Sequence, residues 1–520
     1  MAPVDRNSVE SCEGMIRVIG CDQPRPEWSL LNQITPRLAA KDPSIWGETA
    51  QAEASIRLGW IDLPQTSRQL LPILDALSAW SREFGHQRFI LCGMGGSSLA
   101  PEVMAKSYQR NLIVLDSTDP DQVSIAAQGD LSRTCIIIGS KSGSTIETAS
   151  QRAFFTTLLK DAGLDPRNHI VVVTDPGSPF DISAREEGLR TINADPNVGG
   201  RFSALSAFGL VPAALMGIDV SVLLDDAFDA ASHFTEPDSP AVKMAALLAD
   251  PKFAYVGFYD AGSNVPGLGD WIEQLIAEST GKDGRGVLPV VVESPTSEIY
   301  PVISFAEGSP LAVIAPLGAQ FIFWEWVTAL LGYLLHVDPF NQPNVTESKE
   351  RTGALLKEWS ANSVDLGKPV VDNPNLEIFA DINATSLART LRALIDKKPG
   401  YFALMAYLNR EADQKVKELR SVLEEKSQRP VTFGWGPRFL HSTGQFHKGG
   451  PLVGAFIQIT GEARSALPIP GTGYGFEKLV LAQALGDNEA LASRDLTVIR
   501  IHLKNREAGI EELLEAARSL

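Results

Sequence analysis

The chain has 520 residues, 44% of them hydrophobic and 21% charged, and its formal net charge is −17. This length allows two or three domains, and the acidic balance disfavours nucleic acid or anionic membranes as partners because both require a basic surface. No apolar run reaches the ~18 residues that cross a bilayer, and the first residues lack the basic and apolar regions of a secretory leader. The four cysteines (Cys12, Cys21, Cys92 and Cys135) form no CxxC pair, so we expect a cytoplasmic protein without disulfides or a metal site.

Residues 1–55 are rich in proline and polar residues, and we expect them to form an N-terminal arm with one or two short helices. A first domain, residues 56–235, then alternates short apolar segments with longer mixed ones. These segments predict strands at Arg88–Cys92, Leu112–Leu115, Cys135–Ile138 and His169–Val173 and a helix at Ile146–Leu159. Short apolar strands that alternate with longer helices are typical of a parallel sheet in a doubly wound α/β domain.

The same alternation continues through a second domain, residues 236–365, and a C-terminal segment, residues 366–520. In the second domain it predicts strands near Phe253–Phe258, Val287–Val292 and Leu311–Ala315 and a helix at Phe321–Leu335. In the C-terminal segment it predicts strands near Tyr401–Tyr407, Val431–Gly434, Gly454–Thr460 and Leu496–His502, with an exposed helix over the charged stretch Arg410–Lys426. The fold class is therefore α/β, with two doubly wound parallel-sheet subdomains and a further α/β segment.

Two turns rich in glycine and hydroxyl groups follow predicted strands of the first domain. One contains Gly95-Gly96-Ser97, and the other runs from Ser140 through Lys141 and Ser142 to Thr145. Such turns offer hydroxyl and backbone N–H donors to a phosphate at a helix N-terminus, and ligands of parallel sheets lie beyond the carboxyl ends of the strands. The alternatives are a tight structural turn for the first and an ordinary serine-rich helix cap for the second. The first turn lacks the spacing of a dinucleotide fingerprint, which disfavours a dehydrogenase.

Three charged residues further along the chain are candidates for catalysis. Arg201 follows the paired glycines Gly199 and Gly200, which permit a close approach of the backbone to a neighbour or ligand. Glu278 follows the apolar segment Trp271–Ala277, and Lys349 follows a proline-rich loop. Considered singly, each of the three is an ordinary surface residue, and only their order along the chain suggests more.

That order resembles the glucose-6-phosphate isomerase (phosphoglucose isomerase) family, over about residues 60–350. The matching segments are the two phosphate turns, Gly199 through Ser203, Glu278 through Lys282, and Asp338 through Lys349. The resemblance implies a three-layer αβα sugar isomerase fold and interconversion of glucose 6-phosphate and fructose 6-phosphate through a cis-enediol. It also implies no metal or redox cofactor, a sugar phosphate as the small-molecule partner, and a homodimer.

The resemblance also assigns roles to individual residues. Glu278 is the expected base that carries the proton between C1 and C2, and Arg201 is expected to stabilise the charge that develops on the enediolate. Lys349 and Gln342 are expected to contact the sugar. The residues expected to bind the substrate or its phosphate are Gly96, Ser97, Ser140, Lys141, Ser142, Thr145, Gly200 and Gln342.

The chain departs from the family pattern at the histidine. Family members place a histidine between the glutamate and the lysine, where this chain has only His336, in a different sequence context. The family's L-H-S-x-G-Q segment instead matches Leu440 through Gln445, beyond Lys349. We expect His441 to reach the site as the ring-opening acid or base, since histidine titrates near neutrality. The alternative is that His441 and His447 belong to a structural loop or to a separate site.

Two questions of class remain open at this level. The C-terminal segment resembles actinobacterial-type enzymes and the isomerase half of transaldolase–isomerase fusions. Among enzymes, the main alternative is a dual phosphoglucose/phosphomannose isomerase. Outside enzymes, the alternative is a non-catalytic sugar-phosphate-binding protein. The latter has no need of Glu278, Arg201 and Lys349 together. The sequence leaves open which subunit supplies His441, whether mannose 6-phosphate is accepted, and what the N-terminal arm does.

Overall fold

The structure is a computed structural model that describes residues 16–359, 364, 366–382 and 384–520. Cys12, the first part of the expected N-terminal arm and part of the expected 365/366 boundary lie outside the described residues. Strands of valine, isoleucine and other apolar residues form three sheets. The strands are β1 (Arg17–Ile19), β2 (Arg88–Gly93), β3 (Ile113–Leu115), β4 (Thr134–Gly139), β5 (Ile170–Thr174), β6 (Arg190–Asn193), β7 (Tyr255–Tyr259), β8 (Leu288–Val291), β9 (Val302–Ser304), β10 (Ala312–Ile314), β11 (Val371–Asp372), β12 (Leu376–Ala380), β13 (Tyr401–Tyr407), β14 (Val431–Trp435), β15 (Gly454–Gly461) and β16 (Thr497–Leu503).

Helices cover these sheets and connect their parallel strands. None in the described part of the chain is long and apolar enough to cross a membrane. The helices are α1 (Pro26–Ala39), α2 (Glu48–Ala54), α3 (Leu63–Thr66), α4 (Leu71–Glu83), α5 (Leu99–Ser107), α6 (Pro120–Ala126), α7 (Ile146–Asp161), α8 (Pro179–Glu186), α9 (Ala207–Leu215), α10 (Val220–Ala231), α11 (Pro240–Leu248), α12 (Leu268–Thr280), α13 (Leu317–Leu334), α14 (Val345–Trp359), α15 (Leu387–Asp396), α16 (Glu418–Ser427), α17 (Gly444–Gly449), α18 (Phe476–Ala492) and α19 (Arg506–Arg518).

The first sheet has the strand order β3-β2-β4-β5-β6, and all of its strands are parallel. Chain direction across the sheet reverses between β2 and β4, because the connection after β3 passes back over β2. In doubly wound sheets, ligands bind at this switch point, outside the carboxyl ends of the strands. The two phosphate turns of the sequence follow β2 and β4, so they lie at the switch point of the first sheet.

The second sheet, β1-β10-β9-β7-β8, repeats this winding and adds an antiparallel edge strand. That edge strand, β1, comes from the part of the chain that we expected to form an N-terminal arm. Helix α1 packs against α11 and α13, and its Trp28, Leu31 and Ile34 are buried in the core. Strand β1 and helix α1 are therefore packed against the second sheet and its helices, because apolar side chains of α1 are covered there.

The third sheet, β11-β12-β16-β15-β13-β14, lies in the C-terminal segment. Strands β13 to β16 are parallel and repeat the winding of the other two sheets, while β11 and β12 form an antiparallel edge. The predicted strands of all three sheets are present, to within a few residues at their ends, and the predicted α/β class is confirmed. The domain boundaries at residues 56, 236 and 366 stay predictions.

Buried ion pairs join the C-terminal segment to helix α5 and to the turn that follows β3. Arg438 lies 2.9 Å from Glu102 and 3.1 Å from Asp116, and Arg410 contacts the same two carboxylates at 3.3 and 3.6 Å. These contacts explain why the stretch Arg410–Lys426 is not the exposed helix that its charges predict. Helix α16 begins only at Glu418, and residues before it are held in buried pairs, where removing one partner is costly.

Candidate active site

The turn after β2 lies directly against the loop that carries Arg201. Gly95–Ser97 and Gly200–Phe202 each form one turn of 3-10 helix. A Cβ atom at position 96 would overlap the carbonyl group of Gly200, so only glycine allows this contact between the two backbones. Gly200 itself has no neighbour within 4 Å on its Cβ side. The close backbone approach that the paired glycines indicated is therefore made to the first phosphate turn.

The serine-rich loop after β4 closes on itself before helix α7 begins. Ser140 Oγ accepts a hydrogen bond of 3.1 Å from the backbone N–H of Gly143, and Ser142 Oγ lies 2.7 Å from Ser144 Oγ. Gly143 has φ +76°, and a Cβ atom there would overlap Phe180. Thr145 then precedes the first residue of α7. The loop thus presents hydroxyl groups and the N-terminus of a 16-residue helix, and this arrangement favours the binding of an anion.

These two phosphate turns adjoin each other, as the sheet topology requires. A Cβ atom on Gly139, the last residue of β4, would lie 3.2 Å from the Cβ of Ser97. Lys141 is the exception among the expected phosphate residues, because its ammonium group is paired with Asp175 at 2.6 Å and donates to the carbonyl of Pro196. Its side chain is therefore turned toward the protein, and only its backbone is left to serve a ligand.

Arg201 and Glu278 form a buried ion pair. Arg201 Nη1 lies 3.3 Å from Glu278 Oε1, and both side chains are less than a tenth exposed. Arg201 Nε also donates to Ser279 Oγ at 2.8 Å, so α12 holds the guanidinium through two successive residues near its C-terminal end. Burial lowers the pKa of Arg201, and the Glu278 carboxylate opposes this shift. The expected base and the expected oxyanion stabiliser thus meet in one desolvated pair.

Two basic side chains hold the loop from Asp338 to Gln342 over this pair through hydrogen bonds. Arg201 donates to the carbonyl oxygens of Pro339 and Asn341, at 2.6 and 3.0 Å, and to Gln342 Oε1 at 3.0 Å. Lys282, which is also buried, donates to the carbonyl of Asp338. The loop leads into α14, which carries Lys349. Gln342 is thereby placed next to Arg201.

His441 lies beside this pair within the same chain. It ends a 3-10 turn, Arg438–His441, and its carbonyl accepts a 2.6 Å hydrogen bond from Gln274 Nε2. The same nitrogen lies 3.2 Å from Glu278 Oε2. Gln274 therefore bridges the expected base, Glu278, and the expected ring-opening group, His441, which lie 163 positions apart in the sequence.

The imidazole of His441 faces a carboxylate that the sequence reading missed. His441 Nε2 lies 3.0 Å from Glu147 Oε1, and the same oxygen accepts a 2.7 Å hydrogen bond from Gln483. Burial raises the pKa of Glu147. The charge of His441 and its hydrogen bond lower that pKa, and the charge of Lys349 contributes less in the same direction. The lowering effects are larger, so the pKa of Glu147 is below its usual value. The only signal in the sequence is an acidic residue in the first turn of α7, which is common at helix N-termini.

A second missed residue, Gln445, links the separate motifs. Its Nε2 donates to the carbonyl of Gly281 at 2.9 Å and to Asn344 Oδ1 at 2.8 Å, while its Oε1 accepts from the backbone N–H of Asn344. The amide of Gln445 thus ties the glutamate-bearing segment, the proline-rich loop and the histidine-bearing segment together. Such a role cannot be read from one sequence because its partners lie far away in the chain.

Lys349 stands at the open side of the site. Its side chain is exposed, and in the described part of the chain its ammonium makes no hydrogen bond or ion pair, although its charge acts on Glu147. The other two histidines considered above lie elsewhere. His336 is exposed in the turn after α13. His447 is buried against Tyr401, whose hydroxyl lies 2.9 Å from His447 Nδ1, and burial lowers the pKa of His447 to about 3.

The residues selected from the sequence therefore converge, with the side chain of Lys141 as the exception. The two phosphate turns, the pair of Arg201 and Glu278, and His441 are linked to one another by direct contacts. In the portions that the structure describes, no group of three or more histidine, cysteine, aspartate or glutamate side chains is arranged to hold a metal ion. The site therefore combines acids, bases and anion-binding donors, which suit proton transfer on a small phosphorylated compound.

Comparison with known proteins places the chain in a family. A phosphoglucose isomerase family model matches residues 80–282. The chain is 33% identical over 309 residues to the glucose-6-phosphate isomerase of Thermus thermophilus, a match that covers 55% of this chain and 70% of that protein. It is 36% identical over 209 residues to the probable glucose-6-phosphate isomerase of Haloarcula marismortui, covering 38% of this chain and 48% of that protein. The latter match thus spans about half the length of its relative.

A solved structure supports the fold. The crystal structure of a glucose-6-phosphate isomerase from Chlamydia trachomatis is similar with a TM-score of 0.53 and 18% sequence identity, over 65% of this chain and 86% of that one. This structural similarity confirms the αβα fold that was expected from the sequence.

Proposed function

The chain belongs to the phosphoglucose isomerase family, and from this premise we propose that it interconverts glucose 6-phosphate and fructose 6-phosphate. The reaction opens the sugar ring and then moves a proton between C1 and C2 through a cis-enediol. The observation that carries the proposal is the contact between Arg201 and Glu278, buried beside the phosphate turns and bridged to His441 by Gln274. Each of these groups has a distinct part in the reaction.

The two phosphate turns anchor the substrate. Neutral donors are offered by the turn before α5, with Gly96 and Ser97, and by the loop at the N-terminus of α7, with Ser140, Ser142 and Thr145. A dianion is therefore bound without a dense cluster of positive charge. This arrangement explains how a protein of net charge −17 accepts an anionic substrate. The phosphate is remote from the reacting carbons, and its binding energy serves to orient them.

Glu278 takes the proton from C2 of the open-chain aldose and returns it to C1. Its carboxylate lies in contact with the guanidinium of Arg201, and a general base acts through its carboxylate oxygens. When Glu278 accepts the proton, its negative charge disappears while negative charge develops on the enediolate oxygen. The guanidinium of Arg201 then faces the negative charge of the enediolate instead of that of the Glu278 carboxylate. The stabilisation that Arg201 gives to the enediolate therefore grows in the transition state.

His441 opens the ring with the help of Glu147. The carboxylate of Glu147 accepts a hydrogen bond from the Nε2 side of the imidazole, which assigns the hydrogen to that nitrogen and leaves Nδ1 for proton exchange with the ring. Glu147 is a positioning residue in this scheme, because its hydrogen bond with Nε2 holds the orientation and the tautomer of the ring. Lys349, exposed at the mouth of the site, contacts the sugar oxygens together with Gln342.

The direct test is turnover by the purified protein. We expect proton NMR to show fructose 6-phosphate converting to glucose 6-phosphate until the two reach equilibrium, without added metal or nucleotide. Mannose 6-phosphate is assayed in parallel, because its formation identifies a dual phosphoglucose/phosphomannose isomerase. Absence of turnover, with sugar-phosphate binding retained, would point to the non-catalytic alternative.

Three finer assignments complete the proposal. The protein is of the actinobacterial type, similar to the isomerase half of transaldolase–isomerase fusions, since its histidine segment follows the lysine. It works in the cytoplasm, where its cysteines stay reduced and its substrate is found, and it forms a homodimer as family members do. Light scattering on the purified chain measures its mass, and a monomer or a tetramer would contradict the dimer.

A further inference from the structure

A small cavity of about 80 Å³ separates α12 from the C-terminal segment. Asp270 and Glu273 line it from α12, and Phe433, Trp435 and Arg438 line it from β14 and the turn before His441. Glu278 lies five positions after Glu273 on α12, which places the two about 140° apart around the helix axis. The cavity is therefore distinct from the site that faces the phosphate turns.

Three acidic side chains line the cavity, and two of them, Asp270 and Glu273, lack a hydrogen-bond or ion-pair partner in the described part of the chain, whereas Glu293 is paired with Arg420. Glu273 is only 7% exposed, and neither it nor Asp270 makes a hydrogen bond or ion pair within the residues that the structure describes. They are three positions apart on α12 and so lie on the same face. An unpaired buried carboxyl group is costly, and burial raises the pKa of Glu273 well above its usual value, with Asp270 adding to the shift.

Three basic side chains, those of Lys417, Arg420 and Arg438, also line the cavity, and both arginines are paired with carboxylates other than Asp270 and Glu273. Arg438 lies between Glu102 and Asp116, and Arg420 is paired with Glu293 and Glu424. The charges of both guanidinium groups are thus balanced by other carboxylates. Arg438, together with the exposed Lys417, lowers the pKa of Glu273, but the effect of burial is larger. An anion entering the cavity would still meet two unpaired carboxyl groups.

The remaining wall is aromatic. The rings of Phe433 and Trp435 lie edge to face with centroids 4.9 Å apart. The ammonium of Lys417 lies 6.0 and 5.9 Å from them, which shows that these rings already attract a positive charge. Carboxylates facing aromatic rings are the combination that recognises an organic cation, through ion pairing on one side and cation–π attraction on the other.

We propose that this cavity binds a small primary amine in its ammonium form, with the nitrogen between Asp270 and Glu273 and the apolar part against Phe433 and Trp435. The cavity volume limits the ligand to a few heavy atoms. The proposal does not depend on the isomerase reaction, because none of these side chains belongs to the phosphate turns or to the group of Arg201, Glu278 and His441.

The first experiment titrates the full-length protein with ethylammonium chloride and follows saturation by calorimetry. Ethanol, which has nearly the same shape without the charge, and potassium chloride are the matched controls. We expect saturable binding of ethylammonium alone, weakened at least about tenfold in Asp270→Asn/Glu273→Gln and unchanged in Glu83→Gln, an exposed carboxylate on α4. No saturation with ethylammonium, equal binding of ethanol, or unchanged affinity in the double variant would overturn the proposal.

A second measurement needs no double variant. Burial raises the pKa of Glu273 well above its usual value, and an ammonium group beside Glu273 favours the ionised carboxylate, so we expect ligand binding to be linked to proton release. The heat of ethylammonium binding at pH 7 should therefore differ between buffers of different ionisation enthalpy in the wild type, and this difference should vanish in Glu273→Gln. Binding without proton release in the wild type would contradict the assigned position of the ligand nitrogen.

Discussion

The imidazole of His441 lies 3.0 Å from the carboxylate of Glu147, across 294 positions of the chain. Glu147 belongs to the helix that begins at the serine-rich phosphate loop, and His441 belongs to the C-terminal segment. Their contact brings the histidine motif, which lies beyond Lys349 in the sequence, back to the switch point of the first sheet. The relocated histidine therefore occupies the same site as the phosphate turns and Glu278.

This contact predicts a selective defect for His441→Ala. We expect ring opening to slow by about 10²–10⁴-fold, the usual contribution of a positioned acid or base, while the proton-transfer group Glu278 stays intact. Exchange NMR measures the interconversion of the glucose 6-phosphate anomers separately from isomerisation. Wild-type rates of anomer interconversion and of turnover from the closed sugar in His441→Ala would show that another group opens the ring.

The structure also predicts that each chain holds a complete set of catalytic groups. Gln274 contacts both Glu278 and His441 of the same chain, so a mixed dimer of Glu278→Gln and His441→Ala chains has no intact site. Co-expression of the two inactive variants is therefore expected to restore no activity. Recovery of about a quarter of wild-type activity, as expected when half of the dimers carry one repaired site, would mean that the subunits share their active sites.

The backbone contact between Gly96 and Gly200 predicts a strong effect of a single methyl group. Gly96→Ala forces the phosphate turn away from the Arg201 loop, and we expect destabilisation of about 1–3 kcal/mol with a raised KM for glucose 6-phosphate. Gly353→Ala on α14 is the control, because its Cβ meets no neighbour within 4 Å and helix interiors favour alanine. Thermal unfolding and steady-state kinetics compare the two, and equal KM values would contradict the close contact.

Glu325 predicts a pH dependence of stability. It is fully buried in α13, neither of its carboxyl oxygens has a partner within the described chain, and burial raises its pKa well above the usual value. The folded state therefore keeps the proton, and stability is lost as pH rises above the unfolded pKa of about 4.3 toward the folded value, by about 1.4 kcal/mol per pH unit.

Glu325→Gln removes this ionisation while keeping the shape of the side chain. We expect the melting temperature of the variant to rise relative to the wild type between pH 5 and pH 8, and the two to converge at lower pH. Parallel profiles of the two proteins across this range would show that Glu325 does not titrate in the way its burial indicates.

The sequence predicted the strands and phosphate turns well because their signals are local. A short apolar strand followed by glycine and hydroxyl residues is recognisable within about ten residues of chain. Strands β1, β6, β9, β11 and β12 were missed, since a strand of two to five residues carries little alternation. The charged stretch at Arg410 was misjudged because its partners, Glu102 and Asp116, lie about 300 residues earlier.

The same distinction holds at the site. Arg201, Glu278 and His441 were selected by motif, and the structure places them together, while their catalytic roles stay predictions. Glu147, Gln274 and Gln445 were not selected, because each acts through a contact with a residue far away in the chain. Lys141 was selected by its motif, yet its ammonium faces Asp175, a pairing that only the fold reveals.

The central claim is that the carboxylate of Glu278, held by Arg201, moves the proton between C1 and C2 of the sugar. Its most direct test is the isomerisation rate of Glu278→Gln with fructose 6-phosphate, measured beside wild type and Glu83→Gln at equal protein concentration. We expect kcat to fall by about 10²–10⁴-fold in Glu278→Gln, with substrate binding retained and Glu83→Gln unaffected. Turnover by Glu278→Gln within a few-fold of wild type would contradict the claim.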